Sequence, residues 1–138
     1  MLTTLRAFIA GFLSTLVFHQ GLLWLLRLAG QPAPTPWNFS PVAPFGVPSV
    51  VSLAFWGGLW GIAIWFIIRR HSGFTHWMAA LALGALLPSL LAWFVVMPLK
   101  GMAVAGGFSP TVILGALLVN GAWGIGLAVF MRVVGERR

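Results

Sequence analysis

The sequence contains no cysteine and a single acidic residue, and only 7% of its 138 positions are charged. Without cysteine there is no thiol catalysis, no iron–sulfur cluster and no disulfide scaffold. With one acid there are no paired carboxylates for acid–base work. That acid, Glu136, stands in the charged C-terminal run. A soluble domain carries about a quarter charged residues. Eight lysines and arginines plus one acid cannot coat a globule of this size, so a cytosolic enzyme and a disordered chain are both excluded. No glycine-rich loop follows a strand, so no nucleotide site is expected. His71 and His76 lack cysteine or acidic companions, so no metal site is expected either. The residue types point away from an enzyme.

What the sequence does have is apolar length. Hydrophobic residues make up 60% of it. A membrane-crossing helix needs about 20 predominantly apolar residues. Four segments qualify: 4–28, 49–68, 76–99 and 111–134. None alternates apolar and polar residues, which argues against a membrane barrel. The expected fold is an all-α membrane protein, a single domain built as a four-transmembrane-helix bundle. The first segment reads as a span and not a signal peptide, because its apolar run continues through Trp24 to Arg27.

The net charge of +7 is spread over the ends of these runs and forms no nucleic-acid face. Arg6, Arg69, Arg70, Arg132, Arg137 and Arg138 fall on the side holding both termini; Arg27 and Lys100 fall on the other. Six against two is a positive-inside bias, so both termini are expected in the cytoplasm. His71 and His76 bracket the short cytoplasmic connection and are read as interfacial residues near anionic lipid. The longest connection, 30–48, is then external. It holds Pro32, Pro34, Pro36, Pro41, Pro44 and Pro48, which disfavour helix. Trp37, Phe39 and Phe45 make it apolar enough to lie over the helix ends.

Small residues recur every fourth position on several spans. The rows are Ala7-Gly11-Thr15-His19, Ala80-Gly84-Pro88-Ala92 and Ala116-Asn120-Gly124-Ala128, with the shorter Gly57-Gly61 pair on the second span. Such spacing keeps a row on one helix face, and small residues let membrane helices approach closely. The rows predict tight seams. Pro88 removes a helix hydrogen bond and predicts a kink, with Ser89 placed to satisfy the freed carbonyl. A weak internal echo also runs through the chain. Phe45-Gly46-Val47-Pro48 precedes a span with Trp60-Gly61-Ile62, and Phe108-Ser109-Pro110 precedes one with Trp123-Gly124-Ile125. The echo admits two readings: two tandem helical hairpins, or a chance match in a chain rich in Gly and Trp.

Few polar side chains lie at depth: Ser14, Thr15, His19, Gln20, Ser52, Ser89 and Asn120. His19 is the only ionisable one well inside, and such a group is by default a functional hypothesis. His19 and Asn120 sit at similar depth on small-residue rows. They are expected to approach each other, with Gln20 or Ser89 completing one polar cluster. Helix glue worth about 0.6 to 2 kcal/mol is the ordinary use of such a cluster; a proton or solute pathway is the sharper one. A haem held by two histidines needs both at one depth. His71 and His76 are too far from His19, so no cofactor is expected, unless a pigment or haem uses His19 alone or across a dimer.

The stretches Phe18-His19-Gln20-Gly21, Gly46-Val47-Pro48, Ser52 to Gly58 and Val119 to Gly124 resemble a group of small, uncharacterised proteobacterial inner-membrane proteins. The resemblance implies a four-helix protein of the bacterial inner membrane and supplies no activity. Small multidrug transporters share the length, but their pattern needs a glutamate in the first span, and none is present. The pore motifs of the four-span fluoride channels are also missing. The leading expectation is a structural or interaction protein that lies in the lipid bilayer and assembles with itself or with other membrane subunits. A small oligomeric channel or transporter through His19, Gln20 and Asn120 is the alternative, and a cofactor-holding subunit using His19 is a third.

Overall fold

A computed structural model describes residues 1–134; Glu136, Arg137 and Arg138 lie outside the described residues. Four helices are long and apolar enough to cross a membrane. We label them α1 (Leu2–Leu28), α2 (Ser49–Ile68), α3 (Gly73–Leu99) and α4 (Pro110–Val133). Consecutive helices run antiparallel. α1 packs mainly on α2 and α4, and α3 mainly on α4, while α2 and α3 touch less. The main apolar cluster includes Ala7, Ile64, Trp65, Ile68, Ala80, Leu127 and Met131. These residues lie in the half of the bundle nearest the 69–72 connection. Bulky residues such as Leu5, Trp24, Trp56, Phe94 and Leu118 point outward, as expected where the surroundings are lipid tails.

The expected seams form backbone against backbone. A Cβ placed on Gly61 would lie 2.5 Å from the Ala7 carbonyl oxygen and 2.9 Å from the Gly11 Cα. One on Gly84 would lie 2.6 Å from the Gly124 Cα. Gly11 faces Gly57 as closely, and Gly124 faces the Ala80 carbonyl. The two hairpins are therefore built alike. In each, an alanine and a glycine one turn apart on the first helix meet the glycine of a Trp-Gly-Ile sequence on the second. Gly58 serves a neighbouring contact, since a Cβ there would strike the Phe8 ring at 2.5 Å.

Two wide π-turns interrupt the helices, at Thr15–His19 in α1 and Ala92–Val96 in α3. Such a turn widens the i→i−4 hydrogen-bond ladder. The first ends the Ala7-Gly11-Thr15 row, so His19 leaves the register of the three residues before it. The second lies just beyond Pro88, and the helix is continuous through Pro88 itself. Ser89 does not complete the ladder as expected: its hydroxyl accepts a hydrogen bond from Asn120.

The 29–48 connection folds back onto the bundle. Pro41–Val42 pairs antiparallel with Val47–Pro48. The Ser40 and Asn38 carbonyls accept from the Ser49 and Val50 amides, each at 2.9 Å. These bonds satisfy two of the orphan amides at the start of α2. The 100–109 connection ends in one left-handed turn, with positive φ at Ala105, Gly106, Gly107 and Phe108. A left-handed turn is costly for residues with a Cβ. Glycine at 106 also leaves room for the Val112 side chain, 2.8 Å from where a Cβ would sit.

Gly61→Leu or Gly124→Leu is expected to destabilise the bundle by more than about 2 kcal/mol, because backbone atoms cannot yield as side chains can. Gly115, whose added Cβ would meet nothing within 4 Å, is the control: Gly115→Ala is expected to be neutral or stabilising by up to about 1 kcal/mol. Thermal unfolding of the three variants in mild detergent checks the pair of expectations.

Candidate functional site

The polar residues at depth do not form one cluster. Asn120 donates from its amide nitrogen to the Ser89 hydroxyl at 2.9 Å. Gln20 donates from its own to His19 Nδ1 at 3.3 Å. No hydrogen bond joins His19 to Asn120 among the described residues, so the expected His19–Asn120 pair is corrected. The reason lies in which way each row faces. Asn120 and Gly124 lie on the side of α4 that packs against Gly84 of α3. His19 closes the π-turn of α1 and is only half-buried.

Gln20 is buried, and its second polar atom reaches the long connection. Its side-chain oxygen accepts from the Trp37 backbone amide at 2.8 Å. The Trp37 indole donates to the Leu16 carbonyl at 2.9 Å. That carbonyl lies inside the π-turn of α1. Trp37 is thus pinned to α1 by two hydrogen bonds, one from its backbone and one from its ring. Gln20 is the junction between His19 and the connection.

A second set of bonds, missed in the sequence, crosses the middle of the bundle. The Trp123 indole of α4 donates to the Gly11 carbonyl of α1 at 2.9 Å. The Ser14 hydroxyl of α1 donates back to the Trp123 carbonyl at 2.6 Å. Thr15 also donates to the Gly11 carbonyl, at 3.1 Å, within its own helix. Gly126 is small because a Cβ there would run into the Ser14 hydroxyl and the Phe18 ring. The clasp joins the two hairpins through α1 and α4. Ser14 and Trp123 were both visible in the sequence, one as a deep serine and one in the repeated Trp-Gly-Ile. Nothing in their spacing tells that they meet.

His76 also departs from its expected place. It is buried, with 1% of its surface exposed, and does not face headgroups. It stands in the first turn of α3 and begins the row that continues as Ala80 and Gly84. Its Nδ1 lies 3.0 Å from the Ile68 carbonyl. A carbonyl only accepts, so Nδ1 carries the proton there. The ring stands edge-on to Trp65 and Trp77, both at 5.8 Å. Its Nε2 and the Trp65 indole nitrogen are buried without hydrogen-bond partners. Among the described residues no group of three histidines, cysteines or acids is placed to hold a metal ion.

An open apolar groove of about 380 Å³ is lined by residues of α1 from Val17 to Leu25 and by Ala122 of α4. A second, of about 360 Å³, lies on the outside near Met1, Phe8 and Ile62. No family model, curated protein or solved structure matches the chain.

A Ser89–Asn120 double-mutant cycle, using alanine and leucine replacements, is expected to give a coupling of about 0.6 kcal/mol, up to about 1.7. The same cycle on His19 and Asn120 is expected to give none. Unfolding free energies in mixed micelles decide both. Trp123→Phe is expected to cost at least about 1 to 2 kcal/mol, since it removes one buried hydrogen bond and leaves a smaller ring in a buried site.

Proposed function

We propose that this chain is a structural or interaction subunit of the bacterial inner membrane, self-associating or part of a larger membrane complex, with both termini in the cytoplasm. The observation that carries this reading is the use made of the deep polar side chains. Ser14, Trp123, Ser89 and Asn120 bond between helices, and Gln20 bonds to His19 and to the connection. Their hydrogen-bonding capacity is directed to holding the bundle. A channel through His19, Gln20 and Asn120 needs these side chains to line one path, yet they bond to different elements. Two apolar grooves lie on the outside of the bundle. This arrangement suits a protein whose work is done at its surface.

The orientation rests on the charges. Arg69, Arg70 and Arg132 stand at the end of the bundle that holds the N-terminus, and Arg27 and Lys100 at the other. Anionic lipid and the positive-inside bias favour the arginine-rich end as the cytoplasmic one.

Mild-detergent purification with mass measurement and an absorption spectrum tests the reading. The expected outcome is a defined oligomer or a fixed-stoichiometry complex with no visible absorbance. Solute flux into proteoliposomes that vanishes in His19→Ala would overturn the subunit reading in favour of transport. Reporter tags on both ends are expected to report the cytoplasm; a periplasmic signal from either would reject the orientation.

A further inference from the structure

We infer that the groove between α1 and α4 is a binding site for one anionic phospholipid, its acyl chain lying against Gly21 and its phosphate on Arg27. The inference is independent of the subunit reading. It starts from a glycine that the chain itself does not explain. Glycine inside a helix is unfavourable by about 0.5 to 1 kcal/mol relative to alanine. The mid-helix glycines at the seams earn their place by close contact, as Gly11, Gly61, Gly84 and Gly124 do. A Cβ on Gly21 would meet nothing within 4 Å. Its smallness leaves open space, and that space is the floor of the groove.

The walls are Val17, Phe18, Leu22, Trp24 and Leu25 of α1, with Ala122 of α4 opposite. From Val17 to Leu25 the groove runs about 12 Å along the helix axis, at about 1.5 Å per residue. A hydrocarbon monolayer is roughly 15 Å deep, so the groove matches most of one acyl chain. Its surface is almost wholly carbon, which excludes a polar solute.

The charge at its mouth selects the headgroup. Arg27 follows Trp24 by three residues, so the two are neighbours on the helix surface, one turn above the groove. Arg27 is exposed and donates through one Nη1 to the Ala33 carbonyl at 2.9 Å. A guanidinium has five N–H donors, so the others remain available. No acid among the described residues can neutralise Arg27. The single acidic residue is Glu136, beyond α4, which ends at the opposite end of the bundle. The counter-charge must come from outside the chain. A second copy carries the same excess of positive charge. An anionic phospholipid supplies the charge and the acyl chain together, and a guanidinium binds phosphate well.

The repeat explains why one lipid is expected and not two. In the other hairpin, the position equivalent to Arg27 is Lys100, by the same offset that relates Gly11 to Gly84. The position equivalent to Gly21 by that offset is Phe94, and Ala122 is matched by Leu59 under the Trp60–Trp123 offset. At both of these sequence positions the second hairpin carries a large side chain in place of a small one.

The test is native mass spectrometry of the intact chain, stripped of lipid and titrated with phosphatidylglycerol or phosphatidylcholine carrying the same acyl chains. The wild type is expected to retain one phosphatidylglycerol about fivefold more than phosphatidylcholine, the ratio for roughly one basic contact. Arg27→Gln is expected to remove that preference, and Arg70→Gln, at the far end, to keep it. Gly21→Leu fills the groove and is expected to lower retention of both lipids with its melting temperature unchanged. Equal retention of the two lipids by the wild type would overturn the inference. So would loss of preference in Arg70→Gln equal to that in Arg27→Gln, or unchanged retention in Gly21→Leu. A change of oligomeric mass in Gly21→Leu with lipid retention intact would assign the groove to a second copy and reject the lipid.

Discussion

Backbone-to-backbone contact at glycine is the constraint on which the rest of the bundle depends. Lipid tails are as apolar as leucine, so there is little hydrophobic gain in burying leucine between helices. What holds these helices is the close approach that Gly11 and Gly61 allow in one hairpin, and Gly84 and Gly124 in the other. At that separation even short side chains bridge two helices. Asn120 reaches Ser89 across the second seam. Bulky residues are free to face outward, where the lipid accommodates any shape.

The two hairpins share this design and differ in how they are joined. Trp60 and Trp123 occupy matching positions beside the seam glycines. Among the described residues only Trp123 of the two makes a side-chain hydrogen bond, to the Gly11 carbonyl, and Ser14 donates one to the Trp123 carbonyl. The residue matching Ser14 in the second hairpin is Leu87, which has nothing to donate. The reciprocal clasp therefore forms between α1 and α4 and has no counterpart between α2 and α3, which touch less. An asymmetric four-helix bundle follows from a nearly symmetric pair of hairpins.

The 29–48 connection takes part in this architecture. Its carbonyls satisfy the first amides of α2, and Trp37 is fastened to α1 through Gln20 and Leu16. A loop of this length loses much conformational freedom when ordered. The return is that polar groups near the end of the bundle find partners within the protein. Gln20 joins this loop to His19, the ionisable side chain that the sequence singles out.

The four spanning helices were legible in the residue order, because length and hydropathy are local properties and a bilayer demands about 20 apolar residues per crossing. The four-residue spacing of small residues also marked the seam glycines Gly11, Gly57, Gly61, Gly84 and Gly124, though not how far each row runs. The sequence showed that Gln20, Ser89 and Asn120 lie deep but not with whom they pair. Partnership depends on which neighbour a row faces, and on the π-turn that takes His19 out of the row of Ala7, Gly11 and Thr15. The Ser14–Trp123 clasp joins residues more than a hundred positions apart, so no local pattern announces it. His76 was misread for the opposite reason. Its spacing to Ala80 and Gly84 already marked a packed face, but its place beside Arg70 suggested the surface, and only the packing of α3 against Ile68, Trp65 and Trp77 decided that it is buried.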